Sequence, residues 1–349
     1  MNKLLKIFIL TGLVLLSFEV KPQQIFQFSQ HMFRPALYNP AAISNDDYLC
    51  VFAAGRSQWM GFNDENNENV NPTNYLLGAS MPLYSINSGV GLTLGREKIG
   101  YQTALNVRLD YSYKMEIDDK QFISGGVLLQ LSQLSFDVSK LKPAFPYDPL
   151  LSETGKQRDF VPDAGIGFMY SNKDKWWAGI SYLNMLGSTA TLGNFEIRNK
   201  PAFIAQGSYK VNVIKQRFRK IDVAPALLVK TNLTETQTEI SVSGYLNDAL
   251  WLGAGYRLQD AVVLLGGIQV NSMKLGISYD FTTNQIRKAT RAGSVEVHLS
   301  YCIPGSSNDS QNSNTAERPT TKNSFWNKVT ERHLPHKMKM RSMFNTRHL

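Results

Sequence analysis

The stretch Gly100–Glu116, GYQTALNVRLDYSYKME, changes character at every residue. Tyr101, Thr103, Leu105, Val107, Leu109, Tyr111, Tyr113 and Met115 hold the odd positions. Gln102, Ala104, Asn106, Arg108, Asp110, Ser112, Lys114 and Glu116 hold the even ones. A strand sends successive side chains to opposite faces, so the run has one apolar and one polar face. A helix would scatter both sets around its circumference. The run also exceeds the roughly 5–6 residues of a usual globular strand. Aromatics near both ends of the apolar face, opposite a face carrying arginine, aspartate, lysine and glutamate, describe a strand between lipid and a polar lumen.

The alternation recurs down the chain. Met273, Leu275, Ile277, Tyr279 and Phe281 oppose Lys274, Gly276, Ser278 and Asp280; Val295, Val297, Leu299 and Tyr301 oppose Glu296, His298, Ser300 and Cys302. The reading is all-β, a transmembrane antiparallel β-barrel of about 14 strands over residues 47–303. Pro201–Ile214 reads as one strand, and Ala249–Gln259 and Ala261–Asn271 as two strands or one bent hairpin. The long connections, Trp59–Thr73, Ser135–Arg158, Met185–Lys200 and Thr283–Ala292, all follow odd-numbered strands, and the short turns follow even ones. Bacterial outer-membrane barrels sort their connections this way, with short periplasmic turns and longer external loops. A soluble sandwich or propeller would alternate too, with its apolar faces packed together.

The chain has 349 residues and 43% hydrophobic residues, an ordinary value because alternation dilutes hydropathy. Residues 1–22 read as a signal peptide, with Lys3 and Lys6 before the apolar Ile7–Phe18. Residues 23–46 neither alternate nor read as a helix, and carry too many apolar groups for a linker. They are expected as a plug-like segment packed in or under the barrel. Residues 304–349 form a basic tail, expected to be periplasmic, that carries +5 of the net charge of +9, so the charge says little about the barrel. Its Ser/Asn/Thr-rich start reads as a flexible linker. A nucleic-acid partner is unlike a secreted chain of this kind.

Three motifs in the N-terminal part carry a resemblance. They are Gln27-Phe28-Ser29-Gln30-His31-Met32, then Tyr38-Asn39-Pro40-Ala41-Ala42, then Arg56-Ser57-Gln58-Trp59 followed by Gly61-Phe62. With the closing strand Gly293–Tyr301, they resemble the PorP/SprF family of outer-membrane proteins of the type IX secretion and gliding machinery in Bacteroidetes. The similarity spans Gln23–Ile303; the tail departs from it. The resemblance implies a fourteen-stranded barrel that docks or anchors an exported surface protein, or its C-terminal domain, and contacts periplasmic subunits of the machinery. The other reading is an outer-membrane channel or hydrophobic-compound transporter.

No residue set points to catalysis, a cofactor or a metal, and the chain is read as no enzyme. His298 and Ser300 share a face without a third group, and His333 and His336 in the tail lack supporting ligands. Arg56, Arg96, Arg108, Asp110, Lys114, Asp163, Lys210, Arg257, Lys274, Asp280 and Glu296 fall mostly on the expected inner faces, and are expected to form a mutual salt-bridge network filling a narrow lumen rather than a charged channel. For partner binding, the loop residues Pro143, Phe145, Pro146, Tyr147 and Pro149, with Leu192 and Phe195, are expected to form a docking face. Cys50 and Cys302, near the ends of the first and last strands, are either a disulfide across the seam or two free buried thiols.

Overall fold

The computed structural model describes residues 27–141, 155–172, 175–216, 218–290 and 292–303. The first strands are β1 (Leu49–Ser57), β2 (Thr73–Leu83), β3 (Ser88–Ile99), β4 (Gln102–Asp118), β5 (Gln121–Asp137), β6 (Lys156–Asn172) and β7 (Trp176–Leu183). Then come β8 (Thr189–Leu192), β9 (Phe195–Arg198), β10 (Ala202–Tyr209), β11 (Val211–Lys215) and β12 (Lys220–Thr231). The last are β13 (Thr236–Leu246), β14 (Leu250–Arg257), β15 (Ala261–Val270), β16 (Met273–Thr282) and β17 (Ser294–Ile303). Each strand pairs antiparallel with its neighbour, β1 with β17, and β10 with both β7 and β12, so the sheet closes on itself. The ring has fourteen staves, because β10 and β11 are one stave interrupted at Lys210 and β8–β9 stand apart as a hairpin.

Closure excludes the sandwich. The apolar row of β4 faces outward, with Leu105, Leu109 and Tyr113 about half exposed, and Leu129 of β5 and Leu252 of β14 are more so. A closed ring whose large apolar side chains point away from it needs lipid as its solvent. Tight corners are chemically marked: Asn247 and Asp248 both take positive φ, at 54° and 55°, in the three-residue connection between the paired Leu246 and Leu250.

Two stretches differ from the sequence reading. The single strand expected over Pro201–Ile214 breaks at Lys210, whose amine turns inward to Asp222 at 3.4 Å and Asp248 at 3.3 Å, and a register shift follows at Asn212/Ile214. The connection Met185–Lys200 contains the hairpin β8–β9, turned at Gly193 with φ of 64°. It covers a step in the wall. β7 pairs with β6 only from Ile166 to Asn172, so the first part of β6 has no strand on that edge. The connection satisfies it instead: Met185 N donates to Ala164 O (2.9 Å), Ser188 Oγ to Pro162 O (2.7 Å) and Thr191 N to the Asp159 carboxylate (2.8 Å).

Residues 27–46 lie inside the ring as three short 3-10 turns, His31–Phe33, Pro35–Leu37 and Pro40–Asn45. Phe28, Leu37, Tyr38, Ala41 and Ile43 are buried against the wall. Room comes from inward glycines. A side chain at Gly126 of β5 would put its Cβ 2.5 Å from the Ala41 nitrogen, and Gly167 and Gly276 are equally filled by Asn39 and Gln30. At the seam, Cys50 and Cys302 are direct cross-strand partners, 4.0 Å apart at Cα, and are joined by a disulfide.

The plug and the wall are thus fitted at backbone contact. Gly126→Val should cost about 1–3 kcal/mol, the usual range for overpacking. The change should appear as a lower urea midpoint and faster proteolytic cleavage within residues 27–46, with the barrel still migrating as a folded band in an unheated gel.

Candidate functional site

The plug is held by two sets of polar side chains from the wall. The first lies toward the end of the barrel that carries the long connections. Alternation turns Arg56 of β1, Glu239 of β13, Arg257 of β14, Asp280 of β16 and Glu296 of β17 into the lumen, all at 1% exposure. Arg56 contacts Asp280 at 2.7 Å and Glu296 at 3.3 Å. Arg257 contacts Glu239 at 2.8 Å, Asp280 at 2.9 Å and Asp260 at 3.2 Å. Ser29 sits at the centre. Its backbone N–H donates to Glu296 (2.7 Å), its hydroxyl reaches Asp280 (2.8 Å), and both arginines donate to that hydroxyl. Gln30 N–H donates to the second oxygen of Glu296 (3.0 Å), and the Gln27 amide donates to Glu239 (2.8 Å).

The second set grips the return of the plug. Arg108, paired with Asp110 at 2.7 Å, donates to the carbonyls of Ala36 and Leu37, both at 2.8 Å. The Gln206 amide donates to Pro35 O (3.0 Å) and Ser181 Oγ to Tyr38 O (2.5 Å). The Asn39 amide donates to Phe168 O and Ile180 O, on two neighbouring staves, while its oxygen accepts from Ala41 N (2.9 Å). The Tyr38 hydroxyl accepts from Phe28 N at 2.8 Å and so ties the two halves of the plug together. Wall side chains therefore complete the hydrogen bonds of irregular backbone, which is tolerated at membrane depth only where protein buries it.

The residues of the sequence motifs meet here. Gln27, Phe28, Ser29, Gln30, Tyr38, Asn39, Pro40, Ala41 and Arg56 are all buried in this plug and its socket. Gln58 and Trp59 lie apart, at the exit of β1. Gln58 N donates to Pro72 O, its carbonyl accepts from Asn71, and Trp59 N donates to Ser294 Oγ. The expected salt-bridge network gains Glu239 and Asp260, which also serve Arg257, and loses Arg96, which strand parity turns outward with Leu92 and Leu94 of β3. Parity alone turns Glu239 inward beside Ser241 and Ser243; Asp260, in a turn, carries no such signal.

Of the expected docking residues, Pro143, Phe145, Pro146, Tyr147 and Pro149 lie outside the described residues. Leu192 corrects its expectation of exposure: it is fully buried with Ala190, Val161, Leu134 and Ala104, under the hairpin. Phe195 packs on Phe136, 5.7 Å between ring centres. The hairpin packs these side chains on the inner faces of β4, β5 and β6 and exposes Thr189, Thr191, Glu196 and Arg198. On the neighbouring connection, the Tyr101 hydroxyl donates to Asp64 and holds its carboxyl below the usual range. His298 stacks on Phe52, 6.3 Å between centres. Among the described residues no group of His, Cys, Asp or Glu is placed to hold a metal.

Buried ion pairs are costly to break from one side. Arg257→Leu leaves Glu239, Asp260 and Asp280 short of a cation and should cost about 3–5 kcal/mol. Equilibrium unfolding in urea, followed by tryptophan fluorescence, reads the loss directly; a change under 1 kcal/mol would contradict the assigned role.

A sequence profile described as "Type IX secretion system membrane protein PorP/SprF" matches residues 20–301. No curated protein sequence matches the chain. Among solved structures, the chain is similar to a FadL homologue of Pseudomonas aeruginosa, at 12% identity and TM-score 0.39, over 76% of this chain and 93% of that one. It is also similar to Omp33 of Acinetobacter baumannii, at 8% identity and TM-score 0.42, over 73% and 98%. A third is the CymD monoaromatic hydrocarbon channel, at 12% and 0.42, over 80% and 94%. At these identities the likeness bears on no cargo.

Proposed function

The chain belongs to the PorP/SprF family of type IX secretion system membrane proteins, an outer-membrane β-barrel, and from that premise we propose that it docks an exported surface protein. In this reading the long connections face outward and receive the exported protein or its C-terminal domain. The termini lie in the periplasm, where the short-turn rim and residues 304–349 meet subunits of the machinery. The signal peptide of residues 1–22 directs export and is removed.

One observation supports docking above all. The lumen is occupied by the chain's own segment, gripped by buried arginines and carboxylates, so the surfaces left for a partner are the rims and the connections. The long connections leave from one end of the ring. Replacing residues 187–198, or separately 142–154, by a short Gly/Ser turn should reduce surface retention of the exported protein at least tenfold, an order expected for losing one interface segment. The variants must still form the heat-modifiable barrel. Unchanged retention in both would refute the docking face. Affinity purification from native membranes then names the partner.

A second reading, a channel or a transporter of hydrophobic compounds, has its own support. An apolar groove of about 300 Å³ opens on the outer wall, lined by Ile166, Phe168, Ile180, Tyr182 and Phe203. Conductance separates the two. In a planar bilayer the full chain should show no stable open pore, whereas deleting residues 27–46 should open one. Steady conductance by the intact protein would favour the channel.

A further inference from the structure

The outer wall carries charge in one place that neither the lumen nor the docking face uses. On the long-connection half of the ring, the charged side chains sharing the outward row with the apolar residues are Arg96 and Lys98 of β3, Lys156 and Arg158 of β6, and one acid, Asp137, the last residue of β5. Pairing gives their positions. Lys98 lies opposite Thr103, Thr103 opposite Ser135, and Ser135 opposite Arg158, a continuous row across four staves. One row nearer the middle of the wall, Arg96 lies opposite Leu105, Leu105 opposite Gln133, and Gln133 opposite Phe160. Cations and hydroxyls thus stand directly above a lipid-facing floor in which Leu105 is 46% and Phe160 59% exposed.

These cations differ from those in the lumen, where Arg56, Arg108 and Arg257 are all matched to carboxylates. Arg96, Lys156 and Arg158 make no ion pair among the described residues, and Lys98 donates only to Asn69 O, at 3.3 Å. Of the nearby acids, Glu68 pairs with Lys140 at 2.6 Å and Asp64 is taken by Tyr101, while Asp137, which accepts from Ser139, stands opposite Lys156 in the ladder and leaves Arg96, Lys98 and Arg158 as the uncompensated cations. Cations at the edge of a membrane wall attract anionic headgroups. Arginine forks are shaped for phosphate oxygens.

We propose that the outer face of β3–β6, at the long-connection end, is a binding site for a membrane glycolipid bearing two phosphates on a sugar headgroup. The spacing selects two phosphates over one. β3 and β6 are three strand spacings apart, about 14 Å, too far for a single phosphate to engage both. Arg96 and Lys98 hold one phosphate and Arg158, with Lys156, holds the other. Thr103 and Gln133 face the sugars between, and the acyl chains run down over Leu105 and Phe160. The site lies on the wall outside the loops, so it stands whether or not those loops dock a protein.

The test uses the full chain in detergent, titrated with diphosphoryl lipid A, monophosphoryl lipid A and phosphatidylglycerol, with bound lipid counted by native mass spectrometry. The diphosphoryl lipid should bind about tenfold or more tightly than either of the others. Arg96→Gln with Arg158→Gln should erase that preference, and Lys215→Gln, an exposed cation at the opposite rim, should leave it intact. The wild-type comparison requires no variant and decides first: equal binding of one and two phosphates overturns the proposal. So does a preference that survives in the folded double variant.

Discussion

Backbone amides in hydrocarbon have no water to turn to, and this one constraint organises the molecule. Each stave must be laddered on both edges, so β1 meets β17 and β10 reaches past β11 to β12. A closed ring has two unlike faces. The outward face is left to lipid and takes leucine, valine and tyrosine. The inward face takes serines, arginines and carboxylates, which cannot stay buried without partners. The segment 27–46 and the network around Arg56 and Arg257 are the answer to that second requirement. They fill the ring and pair its charges in one arrangement.

The fit is uneven around the circumference. Toward β16, β17 and β1, charged groups enclose Ser29; toward β5–β7, glycines and Asn39 bring backbone against backbone. Along β13, Ser241 and Ser243 are buried with their hydroxyls unmatched among the described residues. Ser112 of β4 and Ser278 of β16 are left in the same way, and a buried polar group without a partner costs about 1–3 kcal/mol.

Most of the ring was legible because strand periodicity is a local property. Val107 and Arg108 announce their faces wherever the strand ends up. The sorted connections added the strand count, since a missed strand would have inverted their order. What escaped depends on residues far apart in the chain. The step between β6 and β7 is a register relation, and only the placed strands reveal that the hairpin β8–β9 is needed to cover it. The break at Lys210 lies where its amine meets Asp222 and Asp248, carboxylates that no window around Lys210 contains. Leu192 looked like a loop residue free to meet a partner because burial under a hairpin leaves no periodic trace in so short a segment. The N-terminal motifs were conspicuous as words without grammar; their irregular spacing makes sense only as a list of the places where the plug touches its socket.

The position of the plug in the chain has a consequence for how the molecule is made. Residues 27–46 precede the first stave, and inward contacts surround them on every side. On its C-terminal side the filling runs straight into β1 through the short link between Asn45 and Leu49, so the chain that starts the wall also carries what fills it. The sulfur bridge between Cys50 and Cys302 fastens the first stave to the last, one residue beyond that link, so a single covalent clasp secures both the seam and the root of the filling.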